Sequence, residues 1–143
     1  MDNSNFFFTV IISTYNRPEC LRQAIASVLR QTYSAFELII VDDASEKDPQ
    51  GMIRDFSDSR IIYLRNEKNI GISATRNYAL KKSKGNYVVL IDDDTILKPD
   101  FLEVLRKIVE GKRVGALCPR ILDPFNKKPF IPFFLYNQQK YLN

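Results

Sequence analysis

Apolar and polar positions along the chain fall into two alternating periods. Phe6 to Ile12 is a continuous apolar and β-branched run, and the polar stretch Ser13-Thr14-Tyr15-Asn16-Arg17-Pro18 behind it predicts a strand that ends in a loop. Pro18 suits the first turn of a helix. Leu21, Ala24, Ile25, Val28 and Leu29 recur at helical spacing, which predicts a helix from Glu19 to Gln31 with one face on a sheet. Phe36 to Val41 reads as a second strand ending in Asp42 and Asp43. A weaker helix from Met52 to Phe56 and a short strand from Ile61 to Leu64 follow. Asn69 to Ser73 is a turn, Ala74 to Lys82 a helix, and Gly85-Asn86 leads into the apolar run Tyr87 to Ile91. Phe101, Leu102, Leu105, Ile108 and Val109 mark a helix closed by Gly111, and Gly115 to Leu122 reads as a fifth strand. Strands and helices in alternation predict an α/β fold: a mostly parallel sheet with right-handed crossovers and helices on both faces. From residue 124 to 143 the pattern fails and an irregular segment is expected. Its apolar run Phe130 to Tyr136, broken by Pro132, either packs on the domain or dips into a membrane interface beside Lys127 and Lys128; packing is the reading preferred.

The run Tyr87 to Ile91 ends abruptly in Asp92, Asp93 and Asp94. A strand buried on both faces places these acids at its carboxyl end, where open α/β sheets bind ligands. Three adjacent carboxylates repel, so a positive partner is expected nearby. Mg²⁺ or Mn²⁺ suits them, since such ions take one or two protein carboxylates and complete their shell with water and substrate phosphates. If strand geometry persists, Asp92 and Asp94 face one side and Asp93 the other. The alternative is that the acids are turn formers or helix caps, because Lys98-Pro99-Asp100 announces a helix a few residues on. Asp42 and Asp43 bring a second pair of carboxylates to the same predicted edge.

Composition narrows the chemistry. The chain of 143 residues, 45% hydrophobic and 27% charged, is sized for one domain, 1–143, around one core. Its net charge of +4 favours anionic ligands or an anionic membrane surface but is too small to argue for nucleic acid. Histidine is absent, which excludes a His general base, His-dependent triads and the commonest zinc sites. Cys20 and Cys118 have neither metal-ligand nor disulfide-framework spacing and are expected to be reduced. The start Met1-Asp2-Asn3 lacks a signal-peptide pattern, and no apolar run approaches the roughly 20 residues of a membrane-spanning helix. A cytoplasmic or peripheral place is therefore expected. Neither a Gly-x-Gly-x-x-Gly nor a P-loop pattern is present.

The motifs together resemble the N-terminal half of family-two glycosyltransferases with the Rossmann-like GT-A nucleotide-diphospho-sugar transferase fold. The resemblance rests on Val10 to Arg17, on Val28-Leu29-Arg30-Gln31-Thr32, and on Glu37 to Ser45. It continues through Asn69-Ile70-Gly71, Arg76-Asn77, Lys84-Gly85-Asn86-Tyr87, Asp92 to Asp94 and Pro99-Asp100. It covers residues from about 8 to 101 in the family's order and approximate spacing. What it implies is the inverting transfer of a sugar from a nucleoside-diphosphate-sugar, UDP-linked by preference, to an acceptor hydroxyl on a saccharide or lipid-linked acceptor, as in cell-surface polysaccharide biosynthesis. It implies nucleotide binding by Ser13, Tyr15, Asp42, Asp43, Arg76, Asp92 and Asp93, with Mn²⁺ or Mg²⁺ on Asp94 and Asp92. Asp94 would be the direct metal ligand and Asp93 would meet the ribose. Tyr15 would stack on the base or else pack in its loop. Asp43 would accept a hydrogen bond from the base. Arg76 would reach the diphosphate or the acidic cluster, or else be a surface cation.

The sequence departs from the family's pattern after Asp94. The 49 residues that follow contain neither a Glu-Asp pair nor a Gln-x-x-Arg-Trp motif, so no catalytic base is assigned. A donor-binding half is expected, and a non-catalytic nucleotide-binding fragment is the alternative. Leu90-Ile91-Asp92-Asp93-Asp94-Thr95 also fits a haloacid-dehalogenase-type phosphatase with Asp92 as nucleophile and Asp94 as general acid, but three strands precede the motif and too little chain follows. Ala44 stands where the family favours Gly, a departure expected to matter little.

Overall fold

The computed structural model describes residues 6–119, 121–122, 129–130 and 135–137. Its elements in chain order are strand β1 (Phe8–Thr14), helix α1 (Pro18–Leu29), β2 (Phe36–Asp42), α2 (Gln50–Arg54), β3 (Ile61–Arg65), α3 (Ile72–Leu80), β4 (Tyr87–Asp92) and α4 (Phe101–Val109), then the short strands β5 (Ile121–Leu122), β6 (Pro129–Phe130) and β7 (Leu135–Asn137). The main sheet runs β3-β2-β1-β4-β7. Its first four strands are parallel, and β7 joins β4 antiparallel.

β1 lies between β2 and β4, so the chain leaves β1 in one direction for β2 and later returns on the other side for β4. That reversal opens a crevice beyond the strands' carboxyl ends. Register puts the acids there: Thr14 pairs with Asp42, and Ser13 with Asp92.

Strands β1 and β2 are buried on both faces because both faces are covered. Phe8, Val10 and Ile12 of β1, Leu38 and Ile40 of β2, and Val89 and Ile91 of β4 pack under α1, α2 and α4. Leu21, Ala24, Ile25 and Val28 form the buried stripe of α1, and each large side chain contributes about 1.5–3 kcal/mol. The opposite face, with Ile11, Ile39, Val41 and Val88, is covered by α3 through Ala79.

At the amino end of the sheet, the Thr9 hydroxyl donates to Glu37 Oε1 at 2.6 Å and accepts the Gly85 amide at 2.9 Å, while the Lys84 amide donates to the same Glu37 oxygen at 2.6 Å. A Cβ on Gly85 would stand 2.4 Å from the Thr9 nitrogen, so only glycine lets β4 begin this close to β1.

Two expectations are corrected. The first strand begins at Phe8 and extends through Ser13 and Thr14, because Ser13 pairs with both neighbouring strands and Thr14 with Asp42 of β2. The stretch from 115 to 119 forms no strand: Val114 and Leu117 anchor it to the core as irregular chain. Ile121–Leu122 pairs instead with Pro129–Phe130 in a separate two-stranded sheet, and the fifth strand of the main sheet is Leu135–Asn137, inside the segment expected to be irregular.

Candidate active site

The site is built at the carboxyl edge where β1 and β4 diverge, and Thr14 joins its two halves. The Thr14 carbonyl accepts the Asp43 amide at 2.9 Å, and its hydroxyl donates to Asp93 Oδ2 at 2.8 Å. Two loops separated by some fifty residues in the chain are thus tied to one residue.

Strand geometry stops at Asp92. A turn follows, closed by the Thr95 amide on the Asp92 carbonyl at 3.1 Å, so the expectation that Asp92 and Asp94 share one side is not met. Asp92 faces α3, where Arg76 reaches its Oδ1 at 2.6 Å. Asp93 and Asp94 share Arg17, at 3.0 Å and 2.8 Å respectively. Asp93 is 4% exposed. Burial pushes its carboxyl above the ordinary carboxylate range, with Asp94 and Asp92 acting in the same sense; the Thr14 hydrogen bond and Arg17 oppose them. The positive partner that three acids demand is therefore present as two arginines.

Asp42 and Asp43 have different surroundings. Asp42 is fully buried and accepts from Arg65 at 2.6 Å, from the Ser45 amide at 3.1 Å and from the Ser45 hydroxyl. Tyr63 donates to Asp48 at 2.8 Å beside it, and burial, then that bond, raise the phenol's pKa. Asp43 accepts the Ile70 and Gly71 amides at 3.0 and 2.9 Å and the Asn66 side-chain amide at 2.8 Å. Burial works to raise its pKa, but these hydrogen bonds outweigh it and leave the carboxyl below the ordinary range. Gly71, at φ +83°, lets the chain turn so that both amides point at Asp43 just before α3 begins. Asp43 thereby sets the start of the helix that carries Arg76.

Between the two acid pairs, Tyr15 is 45% exposed at the rim. The Ser13 hydroxyl is shielded from solvent and has no hydrogen-bond partner among the described residues. Asn16 takes a left-handed conformation, φ +57°, which Asn tolerates. Its amide donates to Ser45 Oγ at 2.8 Å and its side-chain oxygen accepts the Glu46 amide at 2.7 Å. Ala44 is also left-handed, φ +64°, which accounts for the glycine preferred at that place. On the other side, the Gln31 side chain donates to the Lys98 carbonyl at 2.7 Å and accepts the Leu102 amide at 2.9 Å, fixing the chain after the acids to the end of α1.

The structure places Ser13, Asp42 and Asp92 at neighbouring strand ends, with Asp43, Asp93 and Asp94 just beyond them and Arg76 on Asp92; the sequence reading assigned no role to Thr14, Arg17, Arg65 or Asn66. Thr14 and Arg17 lay inside a quoted motif; what hid their roles was the 77–79 residues between them and their acidic partners.

Among the described residues no cluster of three metal-ligating side chains forms a ready-made cage. In kind, though not as a preformed pair, the carboxylate oxygens of Asp92 and Asp94 suit a hard divalent cation. Asp92 and Asp94 offer only oxygens, their side chains are 37% and 50% exposed, and each binds its arginine through one oxygen, the second taking no hydrogen bond among the described residues. Among the described residues no helix is long and apolar enough to cross a membrane.

Four parallel strands with acids at the switch point make this an α/β domain of the class in which ligands generally bind at the strands' carboxyl ends. The chain belongs to Glycosyl transferase family 2, whose sequence profile matches residues 9–140. It is 40% identical over 105 residues to glycosyltransferase GlyA of Streptococcus pneumoniae, which is 71% of this chain and 15% of that protein. It is 36% identical over 100 residues to the UDP-Glc:alpha-D-GlcNAc-diphosphoundecaprenol beta-1,3-glucosyltransferase WfgD of Escherichia coli, 70% of this chain and 40% of that protein. Solved structures share the fold. TarS of S. aureus in complex with UDP matches with TM-score 0.72 at 21% identity over 92% of this chain and 46% of that one. The mannosyltransferase PcManGT of Pyrobaculum calidifontis, in complex with GDP-Man and Mn²⁺, matches with TM-score 0.74 at 24% identity over 83% of this chain and 36% of that one. The chain spans less than half the length of each of these relatives. Family membership displaces the phosphatase reading of Asp92 and Asp94.

Proposed function

We propose that this chain is the donor-binding part of an inverting glycosyltransferase that takes a UDP-sugar and delivers the sugar to a hydroxyl of a saccharide or lipid-linked acceptor. The observation that supports the proposal is the attachment of both acidic loops to Thr14, whose carbonyl accepts the Asp43 amide and whose hydroxyl donates to Asp93; in this reading one loop serves the base and the other a cation-bridged diphosphate.

In this reading Tyr15 offers its exposed ring to the base and the unpartnered Ser13 hydroxyl supplies a hydrogen bond to the nucleoside. Asp43, whose carboxylate is held by donors from Ile70, Gly71, Asn66 and Thr75, is the acceptor offered to the base, and it holds the turn at Gly71 in place. Asp42 keeps the Ala44-Ser45 corner rigid from its buried position. Arg76 gives the diphosphate a cationic partner from α3 while orienting Asp92. Asp93, beneath the ribose, keeps Thr14 and Arg17 in register. Asp94 and Asp92 would hold Mn²⁺ or Mg²⁺, which when bound neutralises charge that develops on the departing diphosphate. No residue is assigned as catalytic base. A peripheral place at the inner face of a membrane belongs to the same proposal, supported by the undecaprenol-linked substrate in the name of WfgD.

The test is calorimetric titration with UDP, GDP and TDP, with Mn²⁺ and with chelator, on the native chain and on Asp94→Asn. UDP binding that requires Mn²⁺ and falls at least tenfold in Asp94→Asn is expected. Equal affinity in both proteins removes Asp94 from its role. Donor hydrolysis or transfer by the same protein separates an enzyme from a binding module, which would bind nucleotide and turn nothing over.

A further inference from the structure

We propose that Arg17 is a second diphosphate-binding arginine, parked on Asp94 and released to the donor when that carboxylate is taken by a divalent cation. The inference rests on the donor-site reading above and concerns a residue that reading leaves without a ligand role.

Arg17 immediately precedes α1, at the mouth of the crevice, and its guanidinium spans two acids. One arm lies 3.0 Å from Asp93 Oδ1 and the other 2.8 Å from Asp94 Oδ2. The two bonds are unequal. The Asp93 side chain is 5% exposed, whereas those of Asp94 and Arg17 are each 50% exposed. The Asp94 contact is the one with hydrogen-bond geometry, but solvent screens it, whereas the Asp93 contact is an ion pair sheltered on the side of its acid. A planar fork anchored at one arm can turn the other toward a new acceptor, and phosphate oxygens match that fork.

Charge counting points the same way. Asp92, Asp93 and Asp94 carry three negative charges against two positive from Arg17 and Arg76, a balance of −1. A divalent cation on Asp94 reverses it to +1 and sets a second positive charge beside the freed arm of Arg17. Such a pair repels unless an anion comes between, and a diphosphate supplies that anion. Arg22 on α1 shows what an ordinary surface arginine looks like here: its single partner among the described residues is Asp55 at 3.7 Å, with both side chains about half exposed or more.

The experiment compares the native chain with Arg17→Gln, Arg17→Lys and Arg22→Gln, all checked for an unchanged thermal melt. Mn²⁺ alone is titrated by the paramagnetic signal of the free ion, and UDP is then titrated by calorimetry at saturating Mn²⁺. Arg17→Gln should bind Mn²⁺ alone at least as tightly as the native chain, since a competing cation has gone, and bind UDP about tenfold more weakly. Arg17→Lys, which keeps the charge and loses the fork, should fall between the two. Arg22→Gln should match the native chain in both titrations. Unchanged UDP affinity in Arg17→Gln overturns the proposal. So does weaker binding of Mn²⁺ alone, which would make Arg17 an organiser of the acids. A native chain that binds no UDP under any condition removes the donor reading and this inference together, a result distinct from an unaffected variant.

Discussion

Thr14 hands its hydroxyl hydrogen to Asp93 across the seam between β1 and β4, at 2.8 Å, inside a wall that excludes water from both groups. Thr14→Val keeps the shape and removes the donor, leaving a buried carboxylate oxygen short of a partner. A stability loss of about 1–3 kcal/mol is expected by urea unfolding, with Thr14→Ser recovering most of it. A valine variant as stable as the native chain would show that the bond is dispensable.

Tyr15 stands at the rim with nearly half its surface in solvent, so its ring contributes little to the packing of the fold. Tyr15→Ala should change stability by less than about 0.5 kcal/mol. Its UDP affinity should nevertheless fall about tenfold, the order of one lost base–aromatic stack. An affinity equal to that of the native chain would place the base elsewhere.

Asp43 makes stability depend on pH in a defined sense. Its folded pKa is depressed below the ordinary 3.8 by the bonds from Ile70, Gly71 and Asn66 despite its burial, so the unfolded chain binds the more protons as pH falls. The stabilisation is fully present above the unfolded value and is lost as pH drops through the folded one. Asp43→Asn should therefore cost about 1–3 kcal/mol at pH 7, and the gap to the native chain should narrow as pH falls from the unfolded value through the lower folded one. A gap that stays constant across denaturant unfolding curves from pH 7 to 2.5 would contradict this.

Gly85 tests the packing of the opposite edge. An added Cβ would meet the Thr9 nitrogen at 2.4 Å and the Phe8 carbonyl carbon at 2.8 Å, contacts with backbone that no rotamer change relieves. Gly85→Ala should cost about 3 kcal/mol, at the upper end of overpacking effects. UDP affinity of the folded fraction should not change, because the site is at the other end of the strands.

The four parallel strands and the helices between them were legible because each has an unbroken apolar run or a 3.6-residue stripe, and both acid pairs were legible because they end such runs. Edges were less so. Ser13 and Thr14 look like loop in sequence yet pair inside the sheet, since a central strand satisfies polar residues with neighbours 28 and 79 positions away. Leu135–Asn137 was hidden by the prolines before it, and the apolar residues between Gly115 and Leu122 imitated a strand although Leu117 lies in irregular chain packed on the core. Within the site, the residue types that carry charge to a ligand stood out. The arginines and amides that hold those carboxylates did not, because which cation meets which acid is decided by the sheet order. Arg76 was expected at the diphosphate or the acids, and the structure puts it on Asp92.

The convergence of both acid pairs on one nucleotide is tested most directly by anomalous diffraction from crystals of the chain grown with UDP and Mn²⁺. The expected map has a single manganese peak on Asp94, the diphosphate beside it, and the uracil ring against Tyr15 near Asp43. Nucleotide density away from the crevice between β1 and β4, or manganese bound without any contact to Asp92 or Asp94, would contradict the assignment.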